Sequence, residues 1–299
     1  MSTIQLTLLG SHQKHNEQTR GITDVLRFYL KGETFMQLKG HVMTAMMFLI
    51  VGCQNTETMM MKPIPNEVQM VHNISSYNTY FDKEASTEFI MNLVFNHKKE
   101  VAIKQEEISI ELLPKTDIVE MTAFRIKANP PQKELEQKAL SVDFTSKKAG
   151  RHIFTQIAVK INGDKKIYPL GDVTVDVKEG PFSGATVYTG GAGIFPTQTP
   201  LLFELVNSQP YPIVFKGILS DNPLIRYKPS DIKVEDMSLP DKGITIKPKE
   251  SVKIHLDWQV QFPENQIVNM EARPIVVTEN KGVSEYATVP NMVYRNDFK

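Results

Sequence analysis

The sequence predicts an all-β protein, two antiparallel β-sandwiches in tandem behind an N-terminal segment of different character. Three observations predict it. Past residue 76 the apolar residues recur with period two rather than 3.6. Turn signals separate the alternating runs at short intervals. The polar phase of those runs leaves one face of each strand to water, as antiparallel sheets do. The 299 residues, 41% hydrophobic, suffice for about two domains with a core each.

The first element is an apolar run, residues 43–51, which ends just before Cys53, the single cysteine of the chain. It is about half the 18–20 residues that cross a bilayer as a helix, and matches the apolar region of a signal peptide. Lys39 and His41 precede it; the polar Gln54, Asn55 and Glu57 follow. Its end, Ile50, Val51, Gly52 and Cys53, resembles the bacterial lipobox: an aliphatic residue, a small or β-branched one, a glycine and then the cysteine. The resemblance implies a bacterial lipoprotein, with signal cleavage after Gly52 and a lipid on the Cys53 thiol. The membrane lipid attached through that acylated cysteine is then the first partner. The competing reading makes the run a core strand or helix and Cys53 an inert core thiol.

Residues 36–52 form a complete signal peptide of ordinary size. Lys31, Gly32 and Glu33 can be encoded by AAA-GGA-GAA, which resembles a ribosome-binding sequence, so Met36 is the expected start and residues 1–35 an expected leader. Residues 53–76 read as a lipidated tether, polar and interrupted by Pro63 and Pro65. As a flexible coil it would span roughly 25–30 Å.

Residues 77–178 read as the first sandwich. Tyr77, Tyr80 and Phe81 open it as a packed strand. Ile108, Ile110 and Leu112 alternate with Glu107, Ser109 and Glu111. Pro131–Leu140 is the best helix candidate. Ile153, Ile157, Val159 and Ile161 are placed on one face of a long strand. Asn162 and Gly163 supply a type I′ hairpin signal, since both tolerate positive φ. Val173, Val175 and Val177 close the unit. The order from Lys148-Ala149-Gly150 through the hairpin to these valines resembles the last strands of bacterial immunoglobulin-like domains. No Cys…Trp…Cys core accompanies it.

Glu179, Gly180 and Pro181 mark a linker, and residues 182–299 read as the second sandwich. Leu201–Asn207 and Pro212–Ile218 are strands. Val252, Ile254, Leu256, Trp258 and Val260 form the cleanest alternation. Residues 274–277 and 285–289 close the unit. This region also resembles an immunoglobulin-like or fibronectin-type sandwich.

Composition excludes several functions. Lys+Arg and Asp+Glu are equal at 34, so the basic excess that displaces counterions from nucleic acid is missing. One cysteine permits neither an internal disulfide nor a Cys-based zinc site. Gly190–Gly193 fits no phosphate-loop spacing. His97, His152 and His255 fall on separate strands, and no cofactor is expected. Glu106 and Glu107 read as solvated strand charges, and Trp258 as a core residue rather than, with Phe262, a stacking platform. The expectation is a non-enzymatic lipoprotein on the extracytoplasmic face of the cell membrane, binding or scaffolding an envelope protein or polysaccharide. The alternative is an enzyme acting on envelope polysaccharide or peptidoglycan in a cleft between the sandwiches.

Overall fold

A computed structural model describes residues 68–296, apart from 85–86, 99–104, 129–134, 162, 190–193 and 196–198. Ile50, Val51, Gly52 and Cys53 lie outside the described residues, as does Gly190–Gly193. No helix among the described residues is long and apolar enough to cross a membrane.

The fold is all-β, built of immunoglobulin-like sandwiches. The first contains β1 (Gln69–Met70), β2 (His72–Phe81), β3 (Glu88–Lys98), β4 (Ile108–Leu113), β5 (Val119–Ala128), β6 (Leu135–Ser146), β7 (Gly150–Ile161) and β8 (Asp164–Glu179). One sheet runs β1-β3-β6-β5 and faces β2-β8-β7-β4. With β1 as strand A and β3 to β8 as B to G, the sheets are ABED and GFC, the constant-type immunoglobulin arrangement, with β2 added beside β8. The core is a run of rings: Phe89 stacks on Phe144 at 5.3 Å, and Phe144 on Phe154 at 6.1 Å. Val173, Val175 and Val177 are buried against them. The hairpin turns at Gly163, whose φ is +98°, with Ile161 opposite Asp164.

Four expectations are corrected here. The folded body begins earlier than residue 77, because Gln69–Met70 and His72–Phe81 are strands. His72 therefore belongs to β2 and not to a tether. The helix candidate is a strand from Leu135 onward, since Leu140, Val142 and Phe144 alternate into the core and tertiary burial overrides a short helical pattern. Ile153 does not share a face with Ile157: a register shift between Phe154 and Gln156 turns Phe154 inward and leaves Ile153 40% exposed. Glu106 and Glu107 lie on a short 3₁₀ turn, Gln105–Glu107, rather than on a strand, and both are exposed.

The second sandwich contains β9 (Ala185–Thr189), β10 (Ile194–Phe195), β11 (Leu201–Asn207), β12 (Ile213–Leu219), β13 (Ile225–Arg226), β14 (Ile232–Val234), β15 (Met237–Ser238), β16 (Ile244–Ile246), β17 (Ser251–Leu256), β18 (Gln259–Val260), β19 (Val268–Arg273), β20 (Ile275–Asn280), β21 (Val283–Thr288) and β22 (Met292–Arg295). The sheet β15-β14-β17-β11-β9 packs on β16-β12-β20-β21. The long alternation of residues 252–260 is two strands, interrupted at Asp257 and Trp258. Trp258 is fully buried, and its indole N–H donates to the Thr199 carbonyl and the Tyr294 hydroxyl, both at 3.0 Å.

The two sandwiches share a sheet. Pro274 separates β19 from β20, and Pro290 lies between β21 and β22. Proline interrupts a ladder because it has no N–H to give. Beyond these bends β20 pairs with β21 inside the second sandwich, while β19 and β22 continue the sheet of the first. The result is a seven-stranded sheet, β10-β22-β19-β2-β8-β7-β4, in which β2 runs parallel to both β19 and β8. The connection after β8 is also fastened: the Ser183 amide donates to the Tyr286 carbonyl at 2.9 Å, and the Tyr286 amide to the Pro181 carbonyl at 3.0 Å.

The junction carries a pH signature. Asp221, between β12 and β13, faces Asp176 of β8; Lys178 lies 2.9 Å from Asp176 and 3.9 Å from Asp221. Burial raises the Asp221 pKa above its ordinary 3.8, and the neighbouring Asp176 raises it further. The folded state then holds its proton more tightly than the unfolded chain, so stability falls as pH rises from about 4 through the raised value. Asp221→Asn is expected to flatten that fall, read from urea midpoints between about pH 4 and pH 7. An unchanged slope would remove Asp221 as its source.

Candidate functional site

The polar chemistry of this chain gathers at the shared sheet. In β19 the residues alternate strictly: Val268, Met270 and Ala272, then Asn269, Glu271 and Arg273. All six are buried. Met270 and Ala272 enter the core of the second sandwich. The polar set reaches into the first sandwich, where Asn269 donates to the Asn73 side chain at 3.0 Å.

Glu271 is fully buried and receives donors on both oxygens. Oε2 accepts from the Tyr77 hydroxyl at 2.5 Å and the Asn92 amide at 2.9 Å. Oε1 accepts from Asn92 Nδ2 at 2.8 Å and from Asn291 Nδ2. Burial raises the Glu271 pKa, and these hydrogen bonds oppose the shift. Burial, followed by the neighbouring Glu271, raises the Tyr77 phenol well above its ordinary 10. Asn291 also donates to the Ile90 carbonyl at 3.0 Å, so one side chain of the second sandwich links Glu271 to the first.

Arg273 sits beside this network and is 8% exposed. Its guanidinium lies over the Phe89 ring at 5.5 Å, and Nη2 makes one long bond of 3.4 Å to the Glu88 carbonyl. Nη1 is buried and has no hydrogen-bond partner. Burial lowers the Arg273 pKa to about 10, which still leaves it charged at neutral pH. A buried donor without a partner costs about 1–3 kcal/mol, and more when charged, so this guanidinium calls for an explanation.

Arg273 forms part of the lining of a cleft of about 660 Å³. Ile90, 42% exposed, belongs to its first-sandwich wall. Further along that wall Arg125 holds Asp143 at 2.7 Å, and the Thr122 hydroxyl donates to the Asp143 carbonyl at 3.3 Å. Val187 of β9 and the Pro290–Asn291 turn close it from the second sandwich. A larger groove of about 1260 Å³ runs along the second sandwich, and several of its charges are engaged. Lys216 lies 3.8 Å from Glu279, and Asp231 accepts from the Lys228 amide at 2.7 Å.

The histidines do not converge. His97 is buried on β3, 3.5 Å from Glu136. His152 on β7 bonds the Pro114 carbonyl at 2.9 Å. His255 on β17 meets Asp257 at 2.8 Å, and Asp257 also holds Lys233 at 3.1 Å. Among the described residues no group of three or more metal-ligating side chains is found. Glu88 and Asp143 are the carboxylates of the cleft, and its rings, Phe89 and Phe144, are core residues. Sequence reasoning passed over Glu271, Arg273 and Asn291. The alternation of β19 was a signal, but alternation alone reads as a solvated face.

No family model matches the chain, and no curated protein does. It is similar to a solved protein of unknown function from Porphyromonas gingivalis at 12% identity, over 77% of this chain and 98% of that one, with a TM-score of 0.22. It is similar to cadherin-like domains 1 to 4 of zebrafish RET at 10% identity, over 77% and 51%, with a TM-score of 0.27. An I-band fragment of titin matches at 12% identity, over 76% and 64%, with a TM-score of 0.16. At these scores none of them bears on what this chain does.

Proposed function

We propose that this chain is a bacterial lipoprotein, anchored through Cys53 on the extracytoplasmic face of the membrane, whose cleft binds a component of the cell envelope. One observation carries the binding reading: a preformed cleft over a buried guanidinium with an unbonded Nη1, at a seam that a continuous sheet holds together. Preformed polar sites bind without the cost of ordering their own groups. The lipobox-like Ile50, Val51, Gly52 and Cys53 support the anchor.

The rival reading, an enzyme acting on envelope polysaccharide or peptidoglycan, draws on Glu88 and Asp143 in the same cleft. Asp143 is committed to Arg125, and the cleft's aromatic rings are packed inside, so binding is the better-supported reading.

One experiment in cells tests both parts. Cys53→Ser is expected to abolish palmitate labelling and release the protein from the membrane fraction. Retention in that fraction, with no label in the wild type, would refute the anchor. A photocrosslinking residue at Thr122 is expected to capture an envelope component in the anchored protein, and one at Ile167, an exposed position on β8 of the first sandwich, is not. Equal capture at both positions, or none at Thr122, would refute the cleft as the binding face.

A further inference from the structure

We propose that the cleft receives an extended peptide and that Arg273 takes a carboxylate on that peptide. The inference rests on the cleft being the binding face and goes further by assigning the chemical class of ligand.

The carboxylate follows from the state of Arg273. Its fork carries five N–H donors, matched to the two oxygens of a carboxylate. The folded chain uses that capacity poorly: Nη2 has a single bond of 3.4 Å, and Nη1 has none. Glu271, two residues away on the same face of β19, does not serve as the partner, because its oxygens are occupied by Tyr77, Asn92 and Asn291. Arg125, the other arginine of the cleft, is already neutralised by Asp143 at 2.7 Å. The cleft therefore presents one unmatched cation. Releasing the long bond to Glu88 frees the guanidinium to turn toward an incoming anion, and Phe89 beneath it supplies a flat surface for that turn.

The peptide follows from the wall. Val187 belongs to β9, the terminal strand of its five-stranded sheet, with β11 on one side and no strand among the described residues on the other. A terminal strand offers a row of backbone donors and acceptors, and an extended chain can add to it as a further strand. Alternate side chains of such a ligand face opposite ways. One set then turns toward Ile90 and Arg273, where an apolar residue and an acidic one are matched. An anionic sugar would satisfy Arg273 but not the edge of β9.

The test uses two fluorescein-labelled heptapeptides of alternating valine and threonine, acetylated and amidated, with glutamate or glutamine at the centre. In fluorescence polarisation the glutamate peptide is expected to bind wild type at least about tenfold more tightly than the glutamine peptide. Arg273→Gln is expected to erase that difference, and Arg273→Lys to keep part of it. Thr122→Trp changes an exposed residue on the cleft wall and leaves Arg273 untouched; it is expected to weaken both peptides. Circular dichroism confirms folding of each variant. Equal binding of the two peptides, binding of neither, or discrimination that survives Arg273→Gln would overturn the proposal. Binding of polygalacturonate in place of either peptide would also overturn it, in favour of an anionic polysaccharide. Such failures leave a Thr122 crosslink standing, so the ligand class can fail while the cleft remains the binding face; loss of that crosslink removes both.

Discussion

Glu271→Ala is expected to cost about 3–5 kcal/mol, the usual penalty for removing one partner from a buried, charge-assisted cluster. Deleting the carboxylate strands the buried Tyr77 hydroxyl and takes an acceptor from the Asn92 amide and from the side-chain amides of Asn92 and Asn291. It also leaves Arg273 without the Coulombic support of a buried carboxylate. The damage falls on the seam rather than on either core, because the donors come from both sandwiches. The single tryptophan, Trp258, lies in the core of the second sandwich and reports on that unit alone. In wild type, urea unfolding followed by Trp258 fluorescence and by far-ultraviolet circular dichroism should coincide, as one cooperative transition does. In Glu271→Ala the two curves should separate. Glu271→Gln keeps the shape and one acceptor but turns an NH₂ toward donors, so its cost should be smaller. A loss under about 1 kcal/mol with coincident curves would show that the seam does not depend on this carboxylate.

Period-two patterning found the strands that bury one face in a regular alternation, because that requirement is written locally. Leu201–Asn207 and the Gly163 hairpin needed nothing from elsewhere in the chain. The seam was not legible for the same physical reason. Val268–Arg273 alternates apolar and polar as a half-solvated strand does, yet its polar side chains meet residues of β2 and β3 almost 200 residues earlier in the chain. The sequence of β2 disguises its role from the other side. Asn73, Ser75 and Ser76 read as tether, and with Asn78 and Thr79 they are buried at the centre of a seven-stranded sheet. Polar residues buried at a junction look locally like residues that face water. The cleft inherits that blindness: Arg273 acquires its meaning from Phe89, Glu88 and a neighbouring carboxylate already in use.

Gly171→Ala is expected to be among the most damaging single changes, and a paired control separates its two causes. Gly171 stands opposite Asn73 where β8 meets β2, with φ at +90°. A Cβ there would lie 2.2 Å from the Asn73 carbonyl oxygen, a backbone atom that cannot turn aside. Asn73 is a node of the seam: its side-chain amide donates to the Val71 carbonyl at 2.7 Å and the Leu170 carbonyl at 3.3 Å, and its oxygen accepts from Asn269. Pushing β2 away therefore loosens β8 and β19 together. Gly163 has nearly the same φ, +98°, but nothing among the described residues lies within 4 Å of its would-be Cβ. Gly163→Ala should cost only the strain of positive φ, about 1–2 kcal/mol. Gly171→Ala should cost that amount plus an overpacking penalty of about 1–3 kcal/mol, so its urea midpoint should fall well below that of Gly163→Ala. Equal midpoints would mean that β2 and β8 can part at this point without loss, and the close approach of the two strands would then not be what holds the shared sheet together.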